Sequence, residues 1–170
     1  MPNHVYNEVV LSGVDPEAVK AKVLNADGDV DFAVLVPLPV NYWPGSVSIK
    51  HREAFPGTHL DAATKMWGTK WGPYENPALT HTEDTVTVTF NTAWGPPRGW
   101  VVALLNTFNC QIVHRYLSEG FSNGYREVYT PLIKGDMMTP KWEAHEIDEG
   151  TADHRFLHKQ LWGVEKFEDE

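Results

Sequence analysis

The chain predicts an α+β sandwich of the ferredoxin-like, split-βαβ kind. It would be a mostly antiparallel sheet with two helices on one face, a long irregular insertion and a C-terminal extension. Three observations lead there. "DTVTVTFNTAW" sets Val86, Val88 and Phe90 in alternation with Thr85, Thr87 and Thr89, the pattern of a strand with one apolar and one polar face. Two strand patterns are each followed by a helix pattern. Asn123-Gly124, inside "FSNG", is a hairpin signal between two further strand patterns.

Taken in order, "NEVVLSG" (Asn7 to Gly13) is a short β-branched strand closed by a turn residue. The first helix follows in "DPEAVKAKVLNADG". Asp15 suits the N-cap, Pro16 the first helical position and Glu17 the positive end of the dipole. Ala18, Val19, Val23 and Leu24 form the apolar stripe, and Gly28 lies beyond the end. "VDFAVLVPLP" reads as a buried strand running into an extended Pro-x-Pro segment. Residues 41–80 read as the insertion: Pro44-Gly45 and Pro56-Gly57 mark turns, and "HLDAATKMWG" suggests a short helix from near Asp61 to Gly68. After the Val86 strand, Pro96-Pro97 turns the chain into a helix whose Trp100, Val101, Leu104, Leu105 and Phe108 recur at helical spacing. "QIVHRYLSEG" and "GYREVYTPL" then form the hairpin. Residues 1–131 are thus one ferredoxin-like domain, and 132–170 an extension with a helix from near Asp153, interrupted at Gly163, and an acidic end.

Composition narrows the function classes. The 170 residues carry a formal net charge of -9, which disfavours nonspecific binding to nucleic acid or anionic membranes. No apolar run approaches the roughly 18 residues a membrane span needs. "MPNHVYNEVV" lacks a basic region followed by an apolar stretch, so the expected location is the cytosol. The single cysteine, Cys110, excludes an intramolecular disulfide and reads as a small buried hydrophobe.

Four motifs occur in a fixed order: "PNHVYNEVVLSG", "WGTKW", "FNTAWGPP" and "YLSEGFSNGYREVY". This series, over most of residues 3 to 130, resembles the Api92-like, YubB-type proteins with a ferredoxin-like domain, carried by phages and plasmids. The resemblance implies the ferredoxin-like fold and a mobile-element origin. It implies no reaction.

Seven tryptophans make the aromatic content the main functional clue. Trp67, Trp71 and Trp94 are expected to converge at one edge of the sheet. One reading makes them a clamp that anchors the insertion, with Lys70 in solvent. The other makes them a groove in which Lys70 and Arg98 meet an anionic or planar ligand. His154 and His158, four apart on a helix, are the metal-ligating candidates, with Asp153 or Glu149 to add oxygens, but they lack a His-Glu-x-x-His pattern. His114, Glu119 and Tyr125 are candidates for proton transfer across the hairpin. Tyr116, Tyr125 and Tyr129 with Arg115 and Arg126 suggest a base-stacking platform, against which stand the acidity and the missing RNA-recognition signature. No phosphate-binding loop, dinucleotide fingerprint or nucleophile elbow is present, and no cofactor is expected. The expected function is a small non-enzymatic binding protein of a phage or other mobile element that engages a host or phage protein, such as a defence or regulatory factor. The alternatives are a small-molecule or nucleotide-binding protein with a Trp-lined pocket, and a virion component.

Overall fold

The computed structural model describes residues 3–131 and 141–163. It contains one six-stranded sheet in which every neighbouring pair is antiparallel. The strands are β1 (His4–Ser12), β2 (Tyr74–His81), β3 (Thr85–Ala93), β4 (Gln111–Ser118), β5 (Gly124–Thr130) and β6 (Lys141–Ile147), in the spatial order β2-β3-β1-β4-β5-β6. Helix α1 (Pro16–Val23) links β1 to the insertion, and α5 (Arg98–Phe108) links β3 to β4. The order β2-β3-β1-β4 with these two crossovers is the ferredoxin-like arrangement. The hairpin adds β5, and β6 extends the same sheet.

Alternation along each strand assigns the two faces. Val9 and Leu11 of β1, Val86, Val88 and Phe90 of β3, and Ile112 of β4 point to the side where α1 and α5 lie, and are almost completely buried. Val19 and Val23 of α1 and Trp100, Val101, Leu104 and Leu105 of α5 meet them. Both helices start as their sequences require. The Asp15 side chain accepts from Glu17 N–H with Pro16 at the first position, and Asn109 closes α5 in the left-handed conformation. Helix α6 (Ala152–Trp162) covers part of the opposite face, packing Leu157 against Tyr6, Leu117 and Ile147. It is capped by Thr151 and ends at Gly163. Among the described residues no helix is long and apolar enough to cross a membrane.

Four expectations are revised. "VDFAVLVPLP" is not a strand: Asp31 caps a single turn, α2 (Phe32–Leu35), by accepting from Ala33 N–H at 2.8 Å. Phe32 drops into the core against Trp67, Phe90 and Trp100. A short apolar run has no periodicity to separate a strand from a buried turn, and here the cap decided. The partner of β3 is instead β2, at the end of the segment read as irregular. As an edge strand it is poorly buried, contains Pro77, and carries a bulge at Glu75 and Asn76, both at positive φ, so it shows little alternation. The insertion itself holds two short helices, α3 (Ile49–Ala54) and α4 (His59–Met66), of which only the second was expected. Finally, the extension contributes a strand, β6, as well as a helix; the acidic end, residues 165–170, lies outside the described residues.

The junction of α4 with α5 positions everything that follows. Pro97 at the N-cap of α5 has no side chain to accept a hydrogen bond. The Trp67 carbonyl takes that role, accepting from Gly99 N–H at 3.1 Å and Trp100 N–H at 3.4 Å. So close an approach leaves no room for a side chain at position 99, where a Cβ would overlap the Met66 carbonyl oxygen. In an open helix Gly→Ala gains about 1 kcal/mol. Gly99→Ala is expected to lose about 2 kcal/mol or more, because backbone must move. The denaturant midpoint of the variant checks the sign.

Candidate functional site

"WGTKW" divides into a docking half and an exposed half. Trp67 is only 5% exposed and belongs to the core. Its Nε1–H donates to Val36 O at 2.8 Å, and its ring meets Phe32 edge-on. Gly68, at φ +91, lies against the backbone of Pro96 and Arg98. The Thr69 hydroxyl donates to Ala93 O at 2.9 Å and accepts from Ala93 N–H at 3.2 Å, closing the end of β3 as a strand neighbour would. Lys70 and Trp71 then turn outward, with Trp71 at 42% exposure.

The three indoles do not meet at one place. Trp67, Lys70 and Trp71 line a cavity of about 670 Å³ in the insertion, with Leu38, Val47 and Leu60 among its apolar walls. Trp94 stands 51% exposed beyond Lys70, whose Nζ lies 4.5 Å from the indole centroid. Trp94 and Arg98 line a second cleft of about 310 Å³ with Tyr116, Phe121 and Tyr125. Lys70 is therefore the link between the two hollows.

Trp94 also has an unusual backbone. Its φ is +73°, left-handed, while its N–H donates to Asn3 O at 2.9 Å. A bulky side chain in that region is a genuine outlier.

Arg98 is held by a buried carboxylate that the sequence did not single out. Glu127 is fully buried on β5. Its Oε1 accepts from Arg98 Nε at 2.8 Å and Nη2 at 2.6 Å, and from the Tyr116 hydroxyl at 3.0 Å. Its Oε2 accepts from the Tyr129 hydroxyl at 2.6 Å. Burial opposes ionisation of Glu127, but the hydrogen bonds from Arg98 and Tyr129 outweigh it and hold the group below its ordinary range. Burial, reinforced by the Glu127 charge, raises both phenols, so Tyr116 and Tyr129 stay protonated and donate.

His114 sits opposite Glu127 in the β4–β5 register. The Asn7 side-chain N–H groups already donate to Val5 O and to Thr92 Oγ1, so Asn7 Oδ1 is left to accept from His114 Nε2 at 3.0 Å. His114 is then neutral with its proton on Nε2, and Nδ1 is a buried acceptor without a hydrogen bond, 3.9 Å from Glu127 Oε2. Burial pushes its pKa down to about 4.

The proton-transfer set expected from the hairpin is thus rearranged. His114 faces Glu127, while Glu119 accepts from the His4 backbone N–H at 2.7 Å and Tyr125 stacks on Tyr116. The five-residue turn, Glu119 to Asn123, shifts the partners away from those that proximity in sequence suggested. Glu127 could have been found by counting register from the Asn123-Gly124 turn. Asn7, a polar residue amid β-branched neighbours, was the other legible sign. The tyrosine platform does not form either: Tyr116 and Tyr129 are buried under Glu127, and Arg115 is taken up by Glu8 and Asp153. Of the two helical histidines, His154 is buried with Nε2 donating to Ser122 O at 2.8 Å, and His158 stacks loosely between it and Trp162. Among the described residues no group of three or more His, Cys, Asp or Glu could hold a metal ion. Cys110 lies in the core, and burial raises its thiol pKa.

Two outcomes follow. Trp67→Ala should cost about 3–5 kcal/mol, and Trp71→Ala no more than about 0.5 kcal/mol, read from denaturant unfolding. From pH 6.5 to 4 the unfolded His114 binds a proton that the folded chain excludes, so stability declines with falling pH by about 3 kcal/mol in all. Glu127, depressed in the fold, adds loss in the same direction at more acid pH. A pH series of unfolding midpoints should show this slope, flattened between pH 6.5 and 4 in His114→Gln.

A family model for the ferredoxin-like domain in Api92-like protein matches residues 60–155, more than half of the chain. The matched span runs from α4 into the first turn of α6 and contains the exposed indoles of Trp71, Trp94 and Trp142. No curated protein and no solved structure shows significant similarity.

Proposed function

The chain belongs to the family of Api92-like proteins with a ferredoxin-like domain, and from that premise we propose that it works by binding a protein partner. The docking site is the cleft of Trp94, Arg98, Tyr116, Phe121 and Tyr125. The protein is then a non-enzymatic accessory factor of a phage or other mobile element, acting in the host cytosol on a host or phage protein.

The observation that carries this reading is Trp94. A non-glycine residue at positive φ costs on the order of 1–3 kcal/mol, and such strain gathers at binding sites. Here the strained side chain is half exposed, so the core gains little from it. Glycine would make the same turn without penalty, yet the position holds a large aromatic ring with Lys70 against it. Aromatic and Arg anchors in a cleft are the composition of interface hot spots. Phe121, 66% exposed, adds a second apolar contact at the cleft. The occupant that fits is an apolar or aromatic side chain, and the chain's net charge of -9 favours a basic partner surface around it. Glu119, beside the lining residue Ser118, and Glu146, opposite Tyr125 in the β5–β6 register, place carboxylates next to the cleft.

Trp94→Gly separates binding from folding. Relief of the strain should leave stability unchanged or raise it by about 1 kcal/mol. Affinity capture from host lysate should recover a stoichiometric, salt-sensitive partner with the unmodified protein and lose it with Trp94→Gly and with Phe121→Ala. Capture that persists in both variants, or no stoichiometric partner at all, refutes the proposal.

A further inference from the structure

We propose that the insertion cavity is a second, independent binding site, for a small aromatic molecule that carries one anionic group. The cavity of about 670 Å³ falls in the size range of ligand pockets, roughly 300–1,000 Å³. Its walls are preformed by hydrogen bonds within the insertion rather than by side-chain collapse. Trp43 N–H donates to Gly57 O at 2.9 Å, His59 N–H to Trp43 O at 2.8 Å, and Trp67 Nε1–H to Val36 O at 2.8 Å.

The lining specifies the ligand. Leu38, Val47, Leu60 and Ala63 are apolar, Trp67 closes the wall from the core side, and the part-exposed indole of Trp71 offers a flat surface for a ring system. The one lysine or arginine in the lining is Lys70, and no carboxylate lines the cavity. Among the described residues Lys70 forms no ion pair; its ammonium rests only on the face of Trp94. In a chain with 23 acidic against 14 basic side chains, a cation left without a carboxylate beside an apolar hollow is an available counter-charge. A single ammonium suits a single carboxylate or sulfonate, and does not suit the several charges of a nucleoside triphosphate. The ligand therefore lays its ring on the Trp71 indole against the apolar wall and turns its anionic group to Lys70.

Two fluorescent probes of similar ring shape test this: 1-anilinonaphthalene-8-sulfonate, which bears the anion, and N-phenyl-1-naphthylamine, which is neutral. The sulfonate should bind the full-length protein one to one and about tenfold more tightly than the neutral probe. Lys70→Met, which keeps the aliphatic stem, should abolish that tenfold preference and leave the neutral probe unaffected. Trp71→Ala should weaken both, with unchanged thermal unfolding. Trp94→Gly lies outside the cavity and should leave sulfonate binding within about twofold, so this site and the partner cleft fail separately. Equal affinity for the two probes, a preference that survives Lys70→Met, or binding at several sites would overturn the proposal.

Discussion

The Trp67 carbonyl is the contact on which the arrangement turns. It completes the first turn of α5, which Pro97 leaves uncapped, and in doing so pins the end of α4 onto the ferredoxin-like core. A peptide carbonyl can serve as a cap only if the two backbones nearly touch, and that is what Gly68 and Gly99 permit. Everything nearby follows from this one junction. The Trp67 indole is forced inward, Thr69 is brought beside Ala93, and Lys70 and Trp71 are the first residues free to face outward. Arg98, at the start of α5, is aimed at the sheet.

Glu127 is the electrostatic counterpart of that junction. An ionised carboxylate in the interior is tolerable only when its lone pairs are filled, and here two Arg98 nitrogens and two phenols fill them. The consequence is that Arg98, although its side chain is half exposed, is tethered in one orientation. Its guanidinium stays at the base of an aromatic cleft, near the rings of Tyr116 and Trp142. Burial sets the state of His114: it disfavours the charged imidazole more than the nearby Glu127 charge favours it, and Arg98 adds to the depression. A histidine buried neutral beside a carboxylate makes the fold acid-sensitive.

The insertion and the cleft share Lys70, which sits in the lining of one and over an indole of the other. The lysine stem borders the cavity while its ammonium lies 4.5 Å from the Trp94 centroid, so one side chain separates the two hollows.

The elements that local chemistry dictates were legible in the sequence. Asp15-Pro16 placed α1, the Thr/Val alternation placed β3, Pro96-Pro97 and the apolar repeat placed α5, and Asn123-Gly124 placed the hairpin. The ferredoxin-like order of strands follows from those. What sequence could not decide are features whose cause lies far along the chain. Phe32 is drawn into a turn by a core that α5 and β3 complete. Tyr74–His81 is a strand because β3 offers it an edge, despite Pro77 and a bulge. The "WGTKW" aromatics stood out in the sequence, but not where each would lie. Their division into one core indole and one cavity indole depends on the close backbone approach at Gly99, which no local pattern encodes. Register from the Asn123-Gly124 turn could place Glu127 opposite His114, but its pairing with Arg98, 29 positions earlier, is made only by folding.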